Sequence, residues 1–453
     1  MDPLAVELNG LLDGSVAGSL LSSLGRRLFF PRGIIAQAAE AKKTARINAT
    51  LGMAFREGKP LVFSALARQV SGLKPEEAVV YAPTAGVEGF RRAWKESLLQ
   101  KNPSLGEDDF SLPVVVPGIT AGISYVADLF LDEGQTVLAG DPSWDNYSLI
   151  FTERRGALIK GIPLFDSSHG EGGGVPVRQG GNPPEGRGLN LAAFEKALEE
   201  TEAAASGGGL RIILNFPQNP SGYTPTLAEA DALVRMAARL ADRGVSVLVI
   251  CDDAYFGLFY EAGTIRESLF SRFAVLHEKV LAVKVDGPTK EDYVWGLRSA
   301  FVSFGSKGLD GAAYGALEKK LMGAIRSSVS CANTPAQYLT LKTMKDPATA
   351  KERELFFDLL RNRYRRVKRF LEEHPAPPVL EALPFNSGYF MSFRCGDSRG
   401  RGMAEELRQA LLKKGIGTIA LGDTYLRVTF AAIEEEEIPQ VFGAIYETAG
   451  ELG

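Results

Sequence analysis

The sequence predicts an α/β protein: a large three-layer α/β/α domain with a mainly parallel sheet, joined to a smaller α+β domain. From about residue 85, short apolar runs such as TVLAG, LRIILNFP and VSVLVICDD alternate with helical patterns such as AEADALVRMAARLADRG. Short strands separated by crossover helices are typical of a parallel sheet. After about residue 330, a long charged helix is followed by SGYFMSFRC, a second helix and YLRVTF. This change of pattern indicates the smaller domain.

We place the large domain at residues 81–325 and build the small domain from both chain ends, 1–80 and 326–453. The first 45 residues or so contain one or two helices, including IIAQAAEAKKTARI, and carry no recognisable motif. The segment 167–188 is dense in Gly and Pro, which predicts a long surface loop inserted into the large domain.

Composition and charge narrow the class of ligand. The chain has 453 residues, a net charge of -4 and 45% hydrophobic side chains, enough for a large core without a basic patch. Nucleic acid and anionic membrane are therefore poor partners, and a small-molecule ligand is expected. Three scattered cysteines and three histidines without metal-ligand spacing indicate neither disulfides nor a metal site.

The N-terminus lacks the basic start and unbroken apolar run of a secretory signal. No stretch approaches the length of about eighteen apolar residues that a membrane span requires. The expected location is the cytoplasm.

Functional side chains are expected where the predicted strands end, because ligands of open α/β sheets bind at the carboxyl ends of the strands. Each of these ends carries Gly, Pro or polar residues after an apolar run. The segments are VVVPGITAG (114–122), VLAGDPSWDNY (137–147), LNFPQNPSGY (214–223), VICDDAYFGL (249–258) and KVDGPTKEDYVWGLR (284–298).

Taken together, NFPQNPSGY, CDDAYFGL, GPTK followed by GLRSAF, DPSWDNY and YLRVTF resemble the fold-type I aminotransferases of class I/II, the aspartate aminotransferase superfamily. The motifs occur in the family's chain order. The resemblance implies pyridoxal 5'-phosphate (PLP) as cofactor, and an L-amino acid and a 2-oxo acid such as 2-oxoglutarate as substrates. It also implies a homodimer with active sites at the interface, in which residues 81–325 bind PLP and residues 1–80 add dimer contacts.

Two lysines, Lys284 and Lys290, are candidates for the Schiff-base lysine. Lys290 follows Gly-Pro at a strand end and matches the family's lysine, while Lys284 lies inside the strand and is assigned a structural role. An amine that forms a Schiff base must lose its proton, and neighbouring positive charge in a desolvated pocket lowers its pKa for that purpose. Lys290 would also act as general base and acid.

Asp252 ends a buried strand, where a carboxylate needs a partner. The resemblance makes that partner the protonated pyridine nitrogen of PLP. Asp253 should point the other way. Tyr255 and Asn219 would hydrogen-bond the phenolic oxygen of the cofactor. The structural alternatives are a strand cap for DDAY and a turn residue for Asn219.

The remaining cofactor contacts are assigned to a stacking surface and a phosphate site. Trp144 offers a flat apolar face for the pyridine ring, with a simple core tryptophan as the alternative. Phosphate would be bound at a helix start and by a guanidinium fork. The residues assigned to phosphate are Gly118, Ile119, Thr120, Arg298 and, from the neighbouring subunit, Tyr81.

Two arginines are assigned to the substrate. Arg427, in a strand of the small domain, matches the arginine that binds the substrate α-carboxylate bidentately. Arg326 matches the position that binds a distal carboxylate in dicarboxylate-specific members, although an exposed helix arginine is the alternative. Trp144 and Asn219 would also contact the substrate. Aspartate and aromatic amino acids are therefore candidate donors.

Two positions depart from the family pattern. Gly287 stands where many relatives have a phosphate-binding serine, and Thr289 is a candidate replacement. Tyr147 stands where aspartate-specific enzymes usually have histidine.

Two alternative functions stay open: a PLP-dependent lyase or other Cα enzyme of the same fold, and a regulator with an aminotransferase-like domain. The N-terminus leaves no room for the DNA-binding module that such a regulator needs.

Overall fold

The computed structural model describes residues 1–13, 15, 21–29, 33–165, 188–204, 209–396 and 400–453. The surface loop predicted at 167–188 therefore lies outside the described residues, except for Gly188. In chain order, the strands are β1 Ile47–Asn48, β2 Phe55–Arg56, β3 Lys59–Pro60, β4 Val114–Val116, β5 Thr136–Asp141, β6 Leu158–Pro163, β7 Leu210–Asn215, β8 Val247–Asp252, β9 Val280–Asp286, β10 Ala300–Gly305, β11 Leu380–Ala382, β12 Met391–Cys395, β13 Ile416–Gly417, β14 Ile419–Leu421 and β15 Tyr425–Val428.

The helices of the same residues are numbered in the same way. They are α1 Pro3–Leu12, α2 Ser23–Arg27, α3 Ile34–Thr44, α4 Ser64–Gln69, α5 Pro75–Val79, α6 Glu88–Lys101, α7 Ile119–Phe130, α8 Leu191–Ala204, α9 Leu227–Asp242, α10 Leu269–Ala274, α11 Pro288–Glu291, α12 Gly311–Arg326, α13 Thr334–Lys345, α14 Pro347–Glu373, α15 Ala404–Lys413 and α16 Ile438–Leu452.

Among the residues that the structure describes, the central sheet contains seven strands in the order β4-β10-β9-β8-β7-β5-β6. Strand β10 runs antiparallel to both of its neighbours, and the other pairs are parallel. Parallel strands need crossover connections, and helices provide them here. The predicted mainly parallel α/β architecture is confirmed.

Successive side chains of each strand point to opposite faces of this sheet. On one face, Val283 and Val285 of β9 pack with α7 and α12. On the other face, Val280 and Ala282 pack with α6, α8, α9 and α10. Because helices cover both faces, the strands are apolar on both sides, which explains their unbroken hydrophobic runs.

A second, antiparallel sheet has the order β11-β12-β15-β14 and packs with the long helix α14 and with α16. Both ends of the chain meet here, since Ile47 of β1 pairs with Ile416 of β13 and Phe63 lies in the same apolar cluster. Within the described residues, no helix is both long and apolar enough to cross a membrane. The domain limits at residues 80 and 325 stay a prediction.

Candidate active site

A cavity of about 120 Å³ lies at the carboxyl ends of the central strands. It forms at the edge of the sheet where the loops that follow β4, β5, β7, β8 and β9 meet. Eight of the residues assigned from the sequence line it, together with three others. The lining residues are Ile119, Thr120, Trp144, Asn215, Asn219, Asp252, Ala254, Tyr255, Thr289, Lys290 and Arg298.

Lys290 lies on the one-turn helix α11, directly after β9. Its Nζ donates a hydrogen bond to the Gly52 carbonyl at 3.0 Å and lies 5.3 Å from the ring centre of Tyr255. Burial, followed by the positive charges of Arg298 and Arg427, lowers the pKa of Lys290 to about 8. The amine can therefore lose its proton near neutral pH and act as a nucleophile or a base.

Asp252 is the last residue of β8 and is buried. Its Oδ2 accepts a hydrogen bond from the Tyr147 hydroxyl at 2.5 Å, and its Oδ1 accepts one from the Ala254 N–H at 3.3 Å. Burial raises the pKa of Asp252 to about 6, against the lowering effect of the Tyr147 hydrogen bond. A carboxylate held in this way suits a cationic ring nitrogen as its partner.

Tyr255 and Asn219 lie in the wall of the same cavity. Burial raises the pKa of Tyr255, so its hydroxyl stays protonated and can donate a hydrogen bond. The Asn219 backbone N–H bonds to the Asn215 side chain at 2.8 Å, while the Asn215 amide bonds to the Asp252 carbonyl at 2.8 Å. Asn215 thus connects the ends of β7 and β8 beneath the cavity.

One end of the cavity carries groups that suit an anion. The helix α7 begins at Ile119, after Gly118, and leaves backbone N–H groups at the positive end of its dipole. Gly118 has φ +98°, and a Cβ there would lie 2.5 Å from the Arg298 guanidinium, so only glycine lets the arginine approach. Thr120 adds a hydroxyl to this end of the wall.

The structure explains why glycine occupies position 287. A Cβ at Gly287 would lie 2.8 Å from the Ala300 Cα and 3.0 Å from the Ser299 carbonyl oxygen of the neighbouring strand segment. No serine fits there without moving backbone. Thr289 lines the cavity and donates only a long hydrogen bond of 3.4 Å to Ser299.

Arg427 lies on β15 and is buried beside Asn219. Its guanidinium donates to the Asn219 side-chain oxygen and to the Thr50 carbonyl, both at 3.1 Å, and lies 4.5 Å from the ring centre of Phe390. These partners are neutral and the Nε has no hydrogen-bond partner. Burial lowers the pKa of Arg427, against the raising effect of Tyr255 and Asp145. A buried cation of this kind is suited to a carboxylate ligand.

Four assigned residues do not line the cavity: Gly118 and Arg427 each contact a residue that lines it, whereas Tyr81 and Arg326 do not join the site of this chain. Tyr81 has 88% of its surface exposed, and Arg326 is exposed at the last turn of α12. Their predicted roles remain untested by the position of either side chain. Trp144 does line the cavity, and its ring makes an edge contact with Tyr147 at 5.5 Å.

Several contributors were not identified from the sequence. Tyr147 was noted only as a departure from the family, yet its hydroxyl bonds directly to Asp252. Asn215 and the Thr50 and Gly52 carbonyls were missed, because backbone acceptors and a strand-end asparagine carry no sequence signal of their own. The NFPQNP run did place Asn215 at a strand end, which was the available clue.

The chain belongs to the family Aminotransferase class I and II, which matches residues 54–445. It is 27% identical over 365 residues to a probable aspartate/prephenate aminotransferase of Aquifex aeolicus, covering 78% of this chain and 80% of that protein. The family match confirms the resemblance and the expectation of a transaminase enzyme. Members of this family are generally PLP-dependent.

Solved structures share the fold. An aminotransferase from Anaerococcus prevotii has a TM-score of 0.78 at 21% identity, covering 93% of this chain and 98% of that chain. A Pyrococcus horikoshii kynurenine aminotransferase has a TM-score of 0.76 at 15% identity, covering 98% and 99%. An aspartate aminotransferase from Thermus thermophilus, solved with maleate, has a TM-score of 0.69 at 17% identity, covering 94% and 99%.

Proposed function

We propose that this protein is a PLP-dependent aminotransferase that moves an amino group between an L-amino acid and a 2-oxo acid such as 2-oxoglutarate. The observation that carries the proposal is the cavity in which Lys290, Asp252 and the anion site around Arg298 meet. A nucleophilic amine, a buried carboxylate and an anion site are the three groups that the aldehyde, ring nitrogen and phosphate of PLP require.

The donor set fits this cofactor. Gly118, Ile119, Thr120 and Arg298 would hold the phosphate, with Tyr81 of a second subunit, while Trp144 would stack on the ring. Asp252 would pair with the ring nitrogen, and Tyr255 and Asn219 would hydrogen-bond the phenolic oxygen. Bound PLP supplies an electron sink for bonds at the substrate Cα.

The chain's own residues would supply positioning and proton transfer. Arg427 would bind the substrate α-carboxylate with its two terminal nitrogens, since its present partners are neutral oxygens that a carboxylate can replace. Lys290 would take the proton from the substrate Cα and return it at another atom, because a pKa of about 8 is close to neutral pH.

Covalent attachment of PLP tests the cofactor assignment. We expect borohydride treatment of the PLP-loaded protein, followed by peptide mass spectrometry, to find the pyridoxyl group on Lys290. Recovery of the group only on other lysines would refute the assignment.

A donor panel tests the substrate class. With 2-oxoglutarate as acceptor, glutamate formation from aspartate, aromatic and aliphatic amino acids identifies the donor. Arg326→Ala should weaken turnover of aspartate more than that of phenylalanine if this arginine binds a distal carboxylate. Equal effects on both donors would remove the preference for dicarboxylates.

A lyase on the same fold is the second candidate, because the fold does not determine which Cα bond breaks. Keto-acid production that needs no 2-oxo acid acceptor would favour it over transamination.

The proposal includes a homodimer, since Tyr81 lies at the surface and would contribute to the site of a second copy. Light scattering would detect the dimer. Mixing Tyr81→Phe and Lys290→Ala chains would then restore one native site per heterodimer, unless Tyr81 acts within its own chain.

A further inference from the structure

The segment between the active-site lysine and the phosphate-site arginine has an unusual backbone. We call residues 291–297 the lysine loop, since they connect Lys290 to Arg298. Tyr293 has φ +57° and Arg298 has φ +51°, both in the left-handed region. Bulky residues rarely adopt this conformation, and it persists only where surrounding contacts enforce it.

One of those contacts is an ion pair between a buried carboxylate and a half-buried arginine. Asp292 in the lysine loop is buried, and its Oδ1 accepts hydrogen bonds from Arg353 Nε at 3.1 Å and Nη2 at 2.6 Å. Arg353 lies near the start of the long helix α14, which packs with the small sheet. The pair therefore connects the lysine loop to the part of the molecule that carries Arg427.

Aromatic and backbone contacts support the same connection. The buried Tyr293 ring makes edge contacts with Phe63 at 5.5 Å and with Phe356 of α14 at 5.2 Å. The Tyr389 hydroxyl, just before β12, donates to the backbone carbonyl of Lys290 at 2.7 Å. Residues of the small domain therefore contact Asp292 and Tyr293, while Glu291 at the start of the loop pairs with Lys101 of α6 at 2.8 Å.

We propose that Arg353 is a positioning residue for Lys290 and acts through Asp292. This inference rests on the proposed function, since it assigns a role in placing the amine that attaches the cofactor. Arg353 does not line the cavity, so it has no contact through which to act directly. It pairs with Asp292, holds the loop in its left-handed conformation, and so sets the position of Lys290 relative to Arg298.

Arg353→Met leaves the buried Asp292 carboxylate without a counter-charge, so the loop would rearrange to expose or protonate it. Asp292→Asn replaces the ion pair that attaches the loop to Arg353 with a weaker neutral contact, which frees the loop in a second way. Lys290 would then leave the desolvated position beside Arg298 and Arg427 that lowers its pKa. Both the speed of covalent attachment and the pKa of the amine should therefore depend on Arg353.

The experiment measures both quantities in four variants of the full chain. These are Arg353→Met, Asp292→Asn, the double variant, and Arg361→Met as the control. Arg361 lies on the same helix, is exposed to a similar extent, and pairs with Asp358 of that helix at 2.7 Å rather than with the loop. The rate of PLP attachment is followed by borohydride trapping and mass spectrometry, and the pKa of Lys290 in the apoprotein by competitive acetylation with acetic anhydride.

We expect Arg353→Met and Asp292→Asn each to slow attachment by about 10- to 100-fold, as for a displaced reacting group. Each should also move the pKa of Lys290 upward, towards its ordinary value. The double variant should be no slower than the slower single variant, within about twofold, because both changes break the same contact. Arg361→Met should attach PLP at the wild-type rate.

Three results would overturn the inference. Arg353→Met could match Arg361→Met in rate, the double variant could combine the two single effects in full, or Asp292→Asn could attach PLP at the wild-type rate. The Asp292→Asn result decides the matter even if Arg353→Met does not fold, because asparagine keeps the loop volume. Failure of the wild-type protein to attach PLP at Lys290 would instead refute the proposed function.

Discussion

Two clusters of charged residues lie on opposite faces of the central sheet, at the ends of the same two strands. On one face, Asp252 and Lys290 line an open cavity with Tyr147 and Tyr255 around them. On the other face, Asp253, Lys284 and Asp286 are buried with Trp94. The consecutive residues Asp252 and Asp253 belong to different clusters, because side chains alternate between the two faces at the end of β8.

The charges of the buried cluster are paired with one another. Lys284 pairs with Asp253 and, at 3.6 Å, with Asp286, while Ser268 donates to Asp253 at 2.5 Å. Burial alone would lower the pKa of Lys284, but the two carboxylates raise it overall, so this lysine stays charged. Lys290 has the opposite surroundings, with two arginines nearby, and its pKa is lowered to about 8.

The comparison shows that residue type alone does not define a reactive site. Both faces contain a lysine and a carboxylate. Only the face with unpaired cations and open volume can accept an anionic ligand and release a proton from its lysine. The predictions below test this difference, from the largest expected effect on activity to the smallest.

Replacing each of the two lysines in turn should separate an effect on turnover from an effect on the free energy of unfolding. Lys290→Ala should lower turnover by at least about 10²- to 10⁴-fold, the usual contribution of a general acid or base, and should abolish covalent attachment of PLP. Lys284→Met should keep attachment but reduce the free energy of unfolding by about 3–5 kcal/mol, because it leaves two buried carboxylates without a cation. Turnover and urea unfolding measure the two effects.

A stable, fully loaded Lys284→Met protein without turnover would contradict this separation. It would mean that the buried cluster takes part in the chemistry.

Removing the Tyr147 hydroxyl should shift the pH dependence of PLP binding by the apoprotein. Asp252 must be ionised to pair with a cationic ring nitrogen, so PLP affinity is expected to fall as pH decreases through about 6, the value to which burial raises the pKa of Asp252 in the apoprotein. Tyr147→Phe removes a hydrogen bond to the carboxylate, a contribution of about 1.5–3 kcal/mol, and should raise that midpoint by about one to two pH units. The pH dependence of the dissociation constant for PLP measures the shift.

Tyr125→Phe is a suitable control for that variant. The Tyr125 hydroxyl bonds to Ser328 at 2.7 Å, and Tyr125 does not line the cavity. An equal shift in both variants would show that the Tyr147 hydrogen bond does not set the pKa of Asp252.

A change in the buried cluster should have the smallest effect on activity. Trp94 Nε1 donates to Asp286 at 3.2 Å, and Trp94→Phe should lower the free energy of unfolding by about 1–3 kcal/mol without moving the pH dependence of PLP binding. Urea unfolding measures the loss. Trp295→Phe is the comparison, since the buried Trp295 Nε1 has no hydrogen-bond partner; a similar loss there would exclude the hydrogen bond as the cause.

Much of the fold could be predicted from the pattern of apolar residues along the chain. The alternation of apolar runs and helices predicted the parallel sheet, because a strand covered by helices on both faces must be apolar throughout. The antiparallel insertion of β10 between β4 and β9 was not predicted, since a short buried strand reads the same in either direction.

The site could be predicted where a recognisable motif lies at the end of a strand. Lys290, Asp252, Tyr255 and Asn219 lie after apolar runs, and the resemblance to the aminotransferase family assigned their roles; the structure brings all four to one cavity. Tyr147 as the partner of Asp252 could not be assigned, because the contact joins loops that are distant in sequence. The Asp292–Arg353 pair could not be assigned either, because it joins a loop to a helix 61 residues later in the chain and no sequence pattern links the two residues.

The sequence by itself determined the fold class and the types of residue at each strand end, because hydrophobic period and turn chemistry are local properties of the chain. Only the tertiary structure decided which charges are neutralised and which stay available. Lys284 and Lys290 differ through partners that come from other strands and helices. Electrostatic free energy depends on burial and distance, and both are set by packing rather than by position along the chain.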